Sequence, residues 1–214
     1  MADDITTERL TLHTIDDLAL QAEARVPREA TAVVVLAHPH PAHGGSMHSL
    51  VTSELFRVLP SAGLACVRFN FRGVGSSEGE HGGGPPERND IGAAVAYAHD
   101  RFPTLTLVLC GWSFGADVSA SITDKAIAGW ALIAPPLRTL DLDALAVGAD
   151  ARPKLLLIPE NDPFRDPAGV AELTRGWVNS TLEVIAGADH FLAGRTDAAA
   201  TLVAHFADGL AIAR

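Results

Sequence analysis

Cysteine is scarce in this chain: Cys66 and Cys110 are the only two in 214 residues, with no C-x-x-C spacing. That excludes a disulfide framework and argues against redox or thiolate-metal chemistry; two buried free thiols are expected. Long hydrophobic runs are lacking too. No uninterrupted apolar stretch approaches the roughly 20 residues that cross a bilayer. The segment Met1–Glu8 is acidic and has no apolar core of a secretory signal. Basic charge is in deficit: 16 Lys and Arg against 26 Asp and Glu leave a net charge of −10. That balance disfavours nucleic acid or an anionic membrane as a partner. A cytoplasmic protein is the expectation. No internal repeat, low-complexity run or linker is visible, so 1–214 reads as a single domain.

Apolar residues are plentiful at 48%, enough for one substantial core. The most informative stretch is Leu105–Gly115. A short apolar run, Leu105–Cys110, predicts a buried strand. It enters Gly111-Trp112-Ser113-Phe114-Gly115, and a helical segment over Ala116–Asp124 follows. Strand, sharp turn, serine and helix form a nucleophile elbow. The turn forces Ser113 into a strained backbone, and a Cβ at 111 or 115 would collide with neighbouring backbone.

Around this element the pattern alternates. Arg9–Thr14 and Leu18–Arg25 predict a first strand pair. Ala32–Ala37, Leu64–Phe71, Ala126–Ala134, Lys154–Ile158 and Thr181–Ile185 predict further strands. Helices are expected over Ser49–Leu59, Glu87–Arg101, Asp166–Trp177 and Thr196–Ala213. Such alternation implies an α/β fold: a mostly parallel eight-stranded sheet with helices on both faces. Between the strand ending at Ala134 and the one starting at Lys154 lies only the short connection Pro135–Arg152.

Five segments carry a resemblance: H-P-H-P-A-H-G-G-S-M at 38–47, R-F-N-F-R-G-V-G-S-S-E-G at 68–79, G-W-S-F-G at 111–115, P-E-N-D-P at 159–163 and G-A-D-H-F at 187–191. The sequence resembles the α/β-hydrolase superfamily, and within it the small, lidless bacterial serine-esterase-type hydrolases. Pro159 departs from the glycine that relatives often carry there, which implies a slightly different turn. The resemblance implies a catalytic order of nucleophile, acid and histidine. Ser113, Asp162 and His190 follow that order, each just after a predicted strand, at the carboxyl edge where open α/β sheets place their sites. Ser113 would attack, His190 would accept its proton, and Asp162 would fix the imidazole tautomer. Glu160 and Asp166 are rivals for the acid, the second with a better role as a helix cap. Asp189, adjacent to His190, reads as a turn residue.

An oxyanion needs two backbone N–H donors. Phe114 is expected to give one. Pro39 has no N–H, so His40 is expected to give the other. His38, His40, His43 and His48 invite a metal reading, but two prolines stiffen their loop and no zinc spacing is present; no metal and no cofactor are expected. Arg72-Gly73-Val74-Gly75-Ser76 lacks the ending of a phosphate loop and reads as a turn, with Arg72 bonding loop carbonyls. The run His81–Gly84 suggests a mobile loop. Trp112, Phe114, Phe164 and Phe191 flank these positions, and one or two could line an acyl pocket. The expected activity is hydrolysis of small carboxylic esters or thioesters, with a small acyl compound as the partner. Peptide or amide hydrolysis, and a catalytically silent binding protein, are the alternatives.

Overall fold

The computed structural model describes residues 5–213. Its strands are β1 (Ile5–His13), β2 (Ala19–Pro27), β3 (Ala32–Ala37), β4 (Leu64–Phe69), β5 (Thr106–Trp112), β6 (Ile127–Ile133), β7 (Lys154–Pro159) and β8 (Ser180–Ile185). Its helices are α1 (Leu50–Val58), α2 (Glu87–Arg101), α3 (Phe114–Ser119), α4 (Pro167–Leu173) and α5 (Thr196–Ile212). The strands form an eight-stranded sheet in the order β1-β2-β4-β3-β5-β6-β7-β8. The β1–β2 and β2–β4 pairings are antiparallel, and every pairing from β4 through β8 is parallel.

The central strands lack polar alternation because both faces are covered. On β3, Val33, Val35 and Ala37 share one core layer with Ile91 of α2, Phe114 of α3 and Val170 of α4. Ala32, Val34 and Leu36 point the other way, toward Val51 and Leu55 of α1 and Val203 of α5. Cys66 and Cys110 are buried free thiols in that second layer. Burial pushes the Cys110 thiol up to about 12 and the Cys66 thiol higher. Among the described residues no helix is long and apolar enough to cross a membrane. Between β6 and β7 the chain makes only two short 3-10 turns, Leu142–Ala144 and Ala146–Ala149. Among the described residues no lid covers the carboxyl edge.

Element ends differ from expectation where side chains compete for backbone partners. The helix after the elbow starts at once on Phe114 and stops at Ser119, where the Ser121 hydroxyl donates back to the Val118 carbonyl. Strand β4 ends at Phe69, because the Asn70 N–H turns to the Gln21 carbonyl and the Phe71 N–H to the His38 ring. Helix α4 ends at Leu173, as Thr174 bonds the Val170 carbonyl and Gly176 follows.

Candidate active site

Strand β5 runs to Trp112, which pairs with Ile133 of β6. The chain then reverses at Ser113, whose φ of 55° and ψ of −119° lie where non-glycine residues rarely go. A Cβ on Gly111 would stand 2.3 Å from the Gly115 carbonyl oxygen, and one on Gly115 would stand 2.4 Å from the Ala37 oxygen. Both contacts are to backbone, so nothing can yield. The glycines let strand, turn and helix close on one another, and Ser113 is left half-exposed between buried neighbours.

Parallel pairing brings the carboxyl ends of β3, β5, β7 and β8 to one edge. There Ser113 Oγ lies 2.9 Å from His190 Nε2, and His190 Nδ1 lies 2.7 Å from Asp162 Oδ2. The ionised Asp162 can only accept, so it holds the proton on Nδ1 and leaves the Nε2 lone pair for the serine hydroxyl. The other Asp162 oxygen accepts the Phe164 N–H at 2.9 Å. The rivals are occupied elsewhere: Glu160 accepts the Gly187 N–H, Asp166 caps α4 through the Gly169 N–H, and Asp189 closes its own turn on Phe191 N–H.

The backbone N–H groups of Phe114 and His40 have no acceptor among the described residues. The loop that carries His40 is anchored by His38, which is fully buried. His38 Nδ1–H donates to the Pro39 carbonyl at 2.7 Å, and Nε2 accepts the Phe71 N–H at 3.0 Å. A neutral ring therefore satisfies both nitrogens. Burial lowers the His38 pKa from 6.5 to about 4. The unfolded chain therefore takes up a proton below pH 6.5 that the folded one refuses. Folding should lose about 3 kcal/mol between pH 6.5 and 4, with full stability above that window. The urea midpoint should fall over this range, and His38→Gln, which retains an acceptor for Phe71 but no titration, should flatten the fall. An equal pH slope in both proteins would refute the assignment.

His40 meets His43, His81 and Phe114 ring to ring at 4.8, 4.9 and 4.9 Å. Burial, followed by the neighbouring imidazoles, lowers the His40 pKa. Among the described residues no three His, Cys, Asp or Glu side chains converge as metal ligands, and His48 lies exposed.

Two readings of the neighbouring loops need correction. Arg72 does not bond loop carbonyls. It pairs with Asp90 of α2 at 2.7 Å and with Asp16 of the β1–β2 turn at 2.9 Å, because a buried guanidinium needs countercharge. The glycine run is tied down: fully buried Glu87 accepts from His81 Nδ1 and from the N–H groups of Gly82 and Gly84 at 2.7–2.8 Å.

Two contacts at the site go beyond the sequence expectations. Trp112 Nε1–H donates to the His190 carbonyl at 3.1 Å, which fixes the histidine loop against β5. Asp117, fully buried on α3, accepts the N–H groups of Leu137, Arg138 and Thr139 at 2.9–3.0 Å. An acid within the apolar F-G-A-D-V-S helix was the one available clue. Burial raises its pKa against those three bonds. The segment it holds forms one wall of a cleft of about 540 Å³ that opens over Ser113 and His190. Trp112, Phe114, Phe164 and Phe191 all line it, the last two 42% and 55% exposed.

Residues 28–146 match the family described as serine aminopeptidase, S33, which is more than half of the chain. The chain belongs to this family. The match includes Ser113 and stops before Asp162 and His190. An uncharacterized protein of Rickettsia prowazekii is 30% identical over 186 residues, covering 82% of this chain and 77% of that one. Among solved structures, an alpha-beta serine hydrolase homologue from Coxiella burnetii superposes with a TM-score of 0.82 at 29% identity, over 92% of this chain and 96% of that one. A serine hydrolase without a lid from Xanthomonas campestris gives 0.81 at 28% identity, over 93% and 92%. Family and neighbours make this protein an α/β serine hydrolase by fold and class.

Proposed function

We propose that the protein cleaves small carboxylic esters or thioesters through a Ser113 acyl-enzyme. The observation that carries this is the continuous chain Ser113–His190–Asp162, at 2.9 and 2.7 Å, at the floor of an open cleft. Ser113 Oγ attacks the substrate carbonyl while His190 Nε2 takes its proton. Asp162 stabilises the imidazolium. The oxyanion receives the N–H groups of Phe114 and His40, which have no other acceptor among the described residues. His190 then returns the proton to the departing alcohol or thiol. Water, deprotonated by the same imidazole, releases the acid and regenerates Ser113. The chemistry requires no cofactor.

The family's description favours a second reading, removal of N-terminal residues from peptides. Such a substrate presents an ammonium group, which calls for a carboxylate in the site. Among the described residues no aspartate or glutamate lines the cleft, and this favours the ester reading. The missing lid favours short acyl chains, since nothing closes over the cleft to shield the far end of a long one from water.

A p-nitrophenyl ester series from acetate to laurate, acyl thioesters and aminoacyl p-nitroanilides, run beside Ser113→Ala, tests this reading. Esters of short acids should turn over fastest, and all turnover should require Ser113. Faster cleavage of the anilides would establish the peptidase reading, and a preference for laurate would refute the short-chain expectation.

A further inference from the structure

We infer that the cleft takes esters bearing a carboxylate a few bonds from the scissile carbonyl, and that Arg138 receives this carboxylate; the inference rests on the ester-hydrolase reading above. The whole chain carries a net charge of −10, a field that repels anions. The cleft departs from that balance. Its lining holds no acid among the described residues, and its only lysine or arginine is Arg138.

That guanidinium is uncommitted. Arg68, Arg72 and Arg152 each pair with a carboxylate, whereas Arg138 has no carboxylate partner among the described residues and is exposed. It is also held in place. Asp117 fixes the backbone N–H groups of residues 137–139. The guanidinium carbon stands 5.0 Å from the centre of the Phe164 ring, and that ring lies 4.5 Å from the His190 imidazole. One aromatic ring thus separates a free planar fork from the reacting centre. Its geometry matches a carboxylate through two parallel N–H···O bonds. Trp112, Phe114, Phe164 and Phe191 of the same lining offer no countercharge, so the anion is directed to Arg138 and the ester to Ser113.

Monomethyl glutarate and its neutral amide counterpart, methyl 5-amino-5-oxopentanoate, test the inference by pH-stat. A second pair, 3-acetoxypropanoate and its amide, places the charge on the leaving side, so the two pairs show which side of the ester faces Arg138. In at least one pair the charged ester should be favoured about tenfold in kcat/KM at low salt, chiefly through KM. Added salt should erode the preference. In Arg138→Gln the ratio should fall to about one; its side chain is exposed, and an unchanged urea midpoint shows that folding is intact. A charged-to-neutral ratio at or below one in the wild type for both pairs, or one unaltered by Arg138→Gln, overturns the inference while leaving the hydrolase reading intact. Calorimetric binding of the same esters to Ser113→Ala reports on the anion site without turnover. If no ester is hydrolysed yet the charged one binds this variant and not Ser113→Ala/Arg138→Gln, the anion site stands and the ester-hydrolase reading falls. If there is neither turnover nor binding, both fall.

Discussion

Ser113→Ala is expected to lower kcat toward short esters by about 10⁶-fold, with KM little changed. Among the described residues the hydroxyl is the only group aligned with His190 Nε2, at 2.9 Å, and serine-hydrolase nucleophiles removed singly cost about that much. Residual turnover would come from the Phe114 and His40 N–H groups and from binding in the cleft. The substitution should not unfold the protein. Alanine removes a side chain whose hydroxyl, among the described residues, bonds the imidazole alone, and the strained turn is held by backbone contacts at Gly111 and Gly115. Labelling with a fluorophosphonate probe should vanish in the same variant. Probe attachment and ester turnover that survive Ser113→Ala would refute the mechanism. Failure of the correctly folded wild-type protein to label or hydrolyse would favour a silent binding protein.

Asp162→Asn should lower kcat by about 10⁴-fold, through the tautomer. An asparagine at this position can still accept the Phe164 N–H with its oxygen, as Asp162 Oδ1 does at 2.9 Å. Its amide nitrogen would then face His190 Nδ1, where Oδ2 now sits at 2.7 Å. The ring would have to accept at Nδ1 and carry its proton on Nε2, so it could not receive the serine proton. The loss should therefore appear in kcat without a matching loss of stability. Glu160→Gln and Asp166→Asn provide the comparison. Each carboxylate serves a backbone N–H away from the imidazole, so each variant should retain kcat within a few-fold. A larger loss in either than in Asp162→Asn would reassign the acid.

Both predictions use residues that the family resemblance orders as nucleophile, acid and histidine. Ser113, Asp162 and His190 each follow an apolar run, and a parallel sheet delivers the ends of such runs to one edge. The elbow could be read because its glycines answer a short-range steric problem. His38 was read as part of a histidine cluster, although its ring is a buried strut between Pro39 and Phe71. That role depends on Phe71, which is distant in sequence. Arg72 was misassigned for the same reason: Asp16 and Asp90 lie on either side of it in the chain, and only packing brings them together. The glycine run after His81 looked mobile because its anchor, Glu87, lies beyond two prolines at the start of α2.

Local sequence specifies the strand and helix alternation, the elbow and the short connection between β6 and β7. All of these depend on periodicity, steric limits and connection length within short stretches. Tertiary structure decided which acid reaches the histidine, what holds the loops, and the charge of the cleft. Asp117 holding the backbone of Arg138, and a cleft with no acid among its described lining residues in an acidic protein, arise from residues far apart in the chain that meet at one sheet edge. Local pattern encodes the elements, and the charge and shape of the site emerge only when distant side chains exclude water together.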